Sequence, residues 1–196
     1  MKTRSEKTQA AIRREIIEFL NATSGSVDQS PGPSSCGIRH RNALVLATCA
    51  GSRARATVLE FFNEGMTLYV FGEPGGKIAN IKRNPQVSAV VYEQPLDHGA
   101  LQKSLQLFGR AELITARGNP RLFWSKIRKW HMEAVGRKIM SPLFQKKNLS
   151  GAEAERFVKR GLESLSVIKI IPEHVILKQW NPDFSMQRYE WKIKAS

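Results

Sequence analysis

The sequence predicts a mainly β fold of the α+β class: a small closed barrel of antiparallel strands, with an N-terminal helix and a helical insertion near residues 119–165. Three observations lead there. Apolar runs of strand length recur between residues 43 and 115, separated by short turn sequences rich in Gly, Asn and Ser. From Asn119 to Leu165 the apolar spacing becomes helical, and strand-like runs return after it. At 196 residues the chain suits one domain with an insertion, large enough to bury a core without staples.

Residues 1–35 are expected to form a helix and a linker, and residues 36–196 the folded domain. In MKTRSEKTQAAIRREIIEFL both charge signs mix, and Ile12, Ile16, Phe19 and Leu20 fall at helical spacing. That describes an amphipathic helix that docks, not an export signal. Residues 22–35, ATSGSVDQSPGPSS, lack any period and read as a polar linker. ALVLATC (Ala43–Cys49) reads as a buried strand, AGSR at 50–53 as a turn and 54–62 as the return strand. Asn63-Glu64-Gly65 turns the chain into a strand over 66–71. A short helix over 77–83 stops at Asn84-Pro85 and leads to a strand over 86–93. The polar loop 94–100 precedes a long strand over 103–115, in which Gly109 marks a bulge or a close backbone approach.

Asn119-Pro120 opens a helix over 121–139, with Phe123, Ile127, Trp130 and Ala134 down one side. Ser150 and Glu153 have capping-box spacing ahead of a second helix, whose stripe is Ala154, Phe157, Val158, Gly161, Leu162 and Leu165. Strands over 167–171 and 175–180 follow, with a last one near 188–193.

The formal charge of +14 is the one extreme in the composition and points to anionic partners. Much of it is local: residues 121–147 hold eight Lys and Arg against Glu133 alone. Such a run suits a solvated helix face, or a face beside an anionic ligand, better than a nucleic-acid track, so nucleic acid is not the expected partner. No apolar run approaches a membrane span, so a membrane partner is not expected and the cytoplasm is the expected compartment. Cys36, Cys49 and the histidines at 40, 98, 131 and 174 lack metal-ligand spacing. The four tryptophans, at 124, 130, 180 and 191, can wall a planar ligand or simply pack the core.

The stretch with chemical content is FGEPGGKIANIKRNPQVSAVVYE, residues 71–93. Lys77 follows Gly75-Gly76 at a helix start, where N–H groups lack partners and the dipole favours an anion. Alone this is equally an ordinary connection between strands. Arg53 and Arg55, two apart on one sheet face, either clamp a phosphate together with Lys77 or serve as edge-strand charges. No catalytic triad, zinc-hydrolase motif or paired-carboxylate pattern is present, so any catalysis would fall to a bound cofactor.

Order and spacing together carry a resemblance. The strand ALVLATC leads into G-S-R-A-R-A-T-V, then G-M-T-L-Y-V-F, then G-G-K-I-A-N-I-K-R-N-P-Q-V-S-A-V-V, then L-F-G-R-A-E-L. Over roughly residues 43–115 this resembles the pyridoxamine 5'-phosphate oxidase-like family of FMN-binding split β-barrels. The resemblance implies a homodimer of six-stranded split barrels with FMN in clefts at the subunit interface. It assigns Arg55 and the backbone of Ala56, Thr57 and Val58 to the strand beside the flavin and its phosphate. It also assigns Val70 and Phe71 to the strand end lining the ring, and Lys77 to the phosphate. Gly76 falls where many members carry a second basic or hydroxyl residue. Ser104 or Gln106 falls near a position that often bonds the ring. The Arg-Leu-His-type run that holds pyridoxal phosphate in the true oxidases has no counterpart in NPDFSMQRYEWKI. Pyridoxamine phosphate is therefore not the expected substrate, and specificity is expected to lie in the basic insertion.

The leading expectation is an FMN-dependent oxidoreductase passing a hydride or electrons to a small-molecule substrate. A second reading keeps the barrel with a deazaflavin or haem. A third, of another class, is a non-catalytic basic module that stores flavin or binds nucleic acid.

Overall fold

The structure, a computed structural model, describes residues 7–27, 38–39, 43–93, 102–183 and 185–193. Helix α1 (Gln9–Thr23) starts at Thr8, whose Oγ1 accepts from the Ala11 N–H at 3.2 Å. Its face of Ile12, Ile16, Phe19 and Leu20 is buried in the main core, so the helix docks on its own domain. Of the linker expected over 22–35, Ala22 and Thr23 complete α1 and Ser26–Val27 forms strand β1, paired with β2 (Ile38–Arg39). Residues 28–35 lie outside the described residues, as do the loop 94–100, Cys36, His40 and His98.

The remaining elements are β3 (Ala43–Cys49), β4 (Ala54–Glu60), β5 (Phe62–Glu64), β6 (Thr67–Gly72), α2 (Gly76–Arg83), β7 (Gln86–Tyr92) and β8 (Gln102–Thr115). They are followed by α3 (Pro120–Lys129), α4 (Met132–Lys146), α5 (Gly151–Glu163), β9 (Ser166–Trp180) and β10 (Met186–Lys192). An eight-stranded antiparallel sheet runs in the order β4-β3-β7-β8-β9-β6-β5, with β10 also paired to β9. It is a split rather than a fully laddered barrel: β4 lies beside β6 with no ladder recorded between them. The class is the expected α+β, with two strands more than the six that the resemblance implied: β5 separates from the return strand expected over 54–62, and β10 is the last strand expected near 188–193.

Strand alternation explains the two cores. Leu44 and Leu46, Val87, Ala89 and Val91, and Leu105 and Leu107 point into the barrel and pack with α1. The return strand expected over 54–62 breaks at Phe61, because adjacent phenylalanines serve opposite sides. Phe61 is buried in the barrel core, while Phe62 is buried in a second core with Phe123, Ile127 and Trp130 of the insertion.

The helix expected over 121–139 is two helices. Trp130 is buried against Phe62 (ring centroids 5.0 Å, 19° between planes), and His131 takes a left-handed φ of 51°. This turn ends α3, and α4 then continues to Lys146 through Pro142. Ser150 is the N-cap of α5, but no side-chain cap forms: the Glu153 N–H donates to the Ser150 carbonyl instead. Val158 and Leu162 are the buried part of the α5 stripe.

The two late strands expected over 167–180 are one, β9, running through Pro172. A register shift falls between Phe108 and Gly109, opposite Pro172, where the ladder does not need the missing N–H. A Cβ at Gly109 would collide with the Ile171 carbonyl oxygen and stand 3.0 Å from Pro172 Cα. Gly109→Ala is therefore expected to destabilise the fold by about 2–3 kcal/mol, the usual cost of overpacking against backbone. Chemical denaturation checks this.

Candidate functional site

The site is built where three elements meet at one end of the barrel. Asn80 and Asn84, one helical turn apart on α2, donate to the end of β3. Asn80 Nδ2 reaches Thr48 Oγ1 (3.2 Å) and the Thr48 carbonyl (3.4 Å), and Asn84 Nδ2 reaches the Cys49 carbonyl (3.0 Å). Thr48 faces Arg55 across the β3–β4 ladder. The two asparagines thus pin the middle and C-terminal end of α2 to the end of β3. Both lie in the K-x-x-N-I-x-x-N-P run, and their i, i+4 spacing was the available signal for this positioning role.

Gly75, the N-cap of α2, stands at φ 157°, ψ −168°, backbone that side chains rarely adopt, and the helix start has no side-chain cap. Its first N–H groups are left without such a partner. The Arg55 guanidinium lies beside this helix start: a Cβ at Gly76 would stand 3.0 Å from Arg55 Nη1. A side chain at position 76 would require the flexible end of Arg55 to give way slightly. Lys77 folds back over the end of β6, its Cε 3.1 Å from where a Gly72 Cβ would be. Neither Arg55 nor Lys77 makes an ion pair among the described residues. Two cations without counter-ions converge on an uncapped helix N-terminus.

From Lys77 a cleft of about 380 Å³ opens between β4, the end of β6 and α4. Val58, Leu59 and Phe71 form one side, and Met132, Val135 and Ile139 of the insertion form the other. Glu60 and Glu73 stand at its edge. Thr57 lies between Arg55 and Leu59 on the same strand face, and its Oγ1 is buried with no hydrogen-bond partner among the described residues. An unsatisfied buried hydroxyl costs about 1–3 kcal/mol and suits a ligand or water acceptor.

Of the residues assigned from sequence, Val58, Phe71 and Lys77 line the cleft, Arg55 and Gly76 meet beside it, and Thr57 sits next to Arg55 on the β4 face opposite Val58. Ala56 is exposed on the same face of β4 as Val58 but does not line the cleft. Val70 is not in the cleft: alternation along β6 turns it into the barrel core, fully buried, as Phe71 turns out. Ser104 and Gln106 are also not there. They pair with Tyr92 and Val90 on the outer side of β8, three strands from β4 in sheet order.

The insertion is held over the cleft by a charged anchor that the sequence did not reveal. Lys126 is buried and donates to both Glu64 carboxylate oxygens (2.6 and 2.7 Å), and Lys129 donates to Oε1 at 2.6 Å. Burial disfavours the Glu64 anion, but the hydrogen bonds from Lys126 and Lys129 outweigh it and bring the carboxyl from 4.5 to about 2. Burial, then the neighbouring Glu64, pushes the Tyr69 hydroxyl well above its ordinary value. Trp130 closes the anchor, packing on Tyr69 (5.0 Å) and edge-on to Phe71 (5.9 Å), the aromatic wall of the cleft.

Among the described residues no group of three or more His, Cys, Asp or Glu is placed to hold a metal ion. No helix among them is long and apolar enough to cross a membrane.

Comparison with known proteins agrees with this architecture. A crystal structure of a FAD-binding protein from Mesorhizobium loti is similar at 22% identity over 70% of this chain and 86% of that one, with a TM-score of 0.45. PhzG from Burkholderia lata, solved with tetrahydrophenazine-1-carboxylic acid, is 15% identical over 79% and 77% of the two chains, with a TM-score of 0.52. A heme binding protein from Mycobacterium smegmatis is 14% identical over 95% of this chain and 59% of that one, with a TM-score of 0.50. At such identities the likeness is one of fold. No curated protein matches in sequence. The family model described as Pyridoxamine 5'-phosphate oxidase matches residues 35–179, which span the sheet from β3 through nearly all of β9, insertion included. By that match the chain belongs to the pyridoxamine 5'-phosphate oxidase family.

Proposed function

We propose that the protein is an FMN-dependent oxidoreductase of this family, acting on a small molecule other than pyridoxamine phosphate. The observation that carries the reading is the convergence of Arg55 and Lys77 on the uncapped start of α2, at the mouth of an apolar cleft. A phosphate dianion fits two cations and free helical N–H groups. The cleft volume falls within the usual range for small-ligand sites. Bound flavin would supply the redox chemistry. The chain's own part is to neutralise the phosphate with Arg55 and Lys77, to offer the Thr57 hydroxyl, and to exclude water with Val58, Phe71, Met132 and Val135.

Flavin suits the cleft better than haem. Its lining includes neither histidine nor cysteine, and Met132 is the one side chain of an axial-ligand type. The test is direct: titrated FMN should bind saturably with quenched flavin fluorescence, and the loaded protein should be reducible and reoxidisable. Saturable haem binding with no flavin binding would reverse the choice.

A homodimer belongs to the same proposal. The outer face of β4, β3 and β7 exposes Val58, Val45 and Val90 in one ladder row that ends on Gln106 of β8, with Tyr92 and Phe108 in adjacent rows. An apolar sheet face this continuous suits burial against a second copy. Such a partner can bring Ser104 and Gln106 of one copy to the cleft of the other. Val45→Glu with Val90→Glu is expected to give monomers with weakened FMN binding, read by sedimentation and flavin titration. A variant that stays dimeric would exclude this face.

A further inference from the structure

A second cavity, larger than the cleft at about 550 Å³, lies among α3, α4 and α5 and takes no part in the site described above. It uses a different face of α4: Glu133 and Arg137 line it, whereas Met132, Val135 and Ile139 line the cleft. Its floor is apolar, formed by buried Val158 and Leu162, and one wall is the half-buried ring of Trp124. Arg128, one turn along α3 from Trp124, and Arg156 and Lys159 of α5 bring three cations to it. Arg137 is paired with Glu155 at 2.9 Å, joining α4 to α5. Arg128 and Arg156 have no ion pair among the described residues, nor does Glu133. Lys159 Nζ stands 5.9 Å from the Trp124 centroid, at the outer limit of a cation–π contact. It holds that ring face only loosely.

We infer that this cavity is a binding site for a nucleoside phosphate, separate from the cofactor cleft. The three kinds of group match the three parts of such a ligand. Arg128, Arg156 and Lys159 meet the phosphates, with guanidinium forks suited to paired oxygens. Trp124 offers a face to the base, since stacking on an aromatic ring serves any base. The Glu133 carboxylate accepts from ribose hydroxyl or base amino groups. The same carboxylate, with Glu155, disfavours an extended nucleic-acid backbone, and the concave shape favours a single nucleotide. The site gives the basic insertion a role that the cofactor cleft leaves unexplained, and it does not depend on the flavin reading.

Isothermal titration of the full chain with ATP and with inorganic tripolyphosphate tests it. ATP is expected to bind once per chain. Arg128→Ala/Arg156→Ala/Lys159→Ala should weaken both ligands by at least about tenfold, as lost charged hydrogen bonds require. Trp124→Leu should weaken ATP alone. Removing three exposed cations elsewhere, as Arg13→Ala/Arg14→Ala/Arg117→Ala, should change ATP affinity by less than about threefold, as should Lys77→Ala. The inference is overturned if ATP fails to bind, if the distant triple variant weakens it as much as the cavity variant does, or if Lys77→Ala abolishes binding. Circular dichroism of each variant separates loss of binding from loss of fold.

Discussion

Replacing Arg55 and Lys77 together with alanine is expected to weaken FMN binding by about 100-fold and to leave riboflavin binding nearly unchanged. Hydrogen bonds to a charged group contribute about 1.5–3 kcal/mol each. Arg55 is exposed and Lys77 half-buried, so the lower figure applies to both, and together they amount to about two decades in Kd. Riboflavin has no phosphate and isolates the ring contacts. The melting temperature should hardly move, because neither cation has an ion pair among the described residues to lose. Equal losses for FMN and riboflavin would show that the two residues support the fold of the cleft and do not bind the phosphate.

Glu64→Ala is expected to destabilise the protein by about 3 kcal/mol. The variant leaves Lys126 charged, buried beside Tyr69 and Trp130, and without its carboxylate. Lys126→Met should cost distinctly less, since it removes the buried charge and leaves Glu64 paired with Lys129. Acid should reproduce part of the Glu64 effect. A carboxyl that titrates at about 2 in the folded chain and at 4.5 ordinarily adds stability that is complete above pH 4.5. That stability is lost as the pH falls from 4.5 toward 2, and it is on the order of 2 kcal/mol. Urea midpoints across this range, compared between wild type and Glu64→Gln, measure it: the two curves should converge in acid. Because the anchor places α4 over the cleft, loss of FMN affinity should accompany the loss of stability.

Much of the barrel was legible because its signals are local. The bounds of β3 match the sequence reading, and α2 begins one residue earlier than expected. Gly109 does mark a bulge and a close backbone approach, and the Ile12-Ile16-Phe19-Leu20 face does pack on a core. Strand alternation and helical period depend on neighbours a few residues away, so composition and spacing carry them. The break at Phe61 was less accessible. Two adjacent phenylalanines show no preference between two cores until both cores exist. The division of α3 from α4 depended likewise on Phe62 waiting to stack on Trp130, 68 positions later in the chain.

The sequence by itself determined the α+β class, the family, and the pairing of Lys77 with a glycine-rich helix start. Each is written in contiguous residues whose chemistry or backbone freedom is their own. Only the tertiary structure decided that Arg55 lies beside that helix start, because the contact depends on how Asn80 and Asn84 pin α2 to β3. It alone turned Val70 into the core and left Ser104 and Gln106 on the outer face. It also set the basic insertion around a cavity of its own. Faces and distances between segments far apart in the chain arise from packing, and no single segment specifies them.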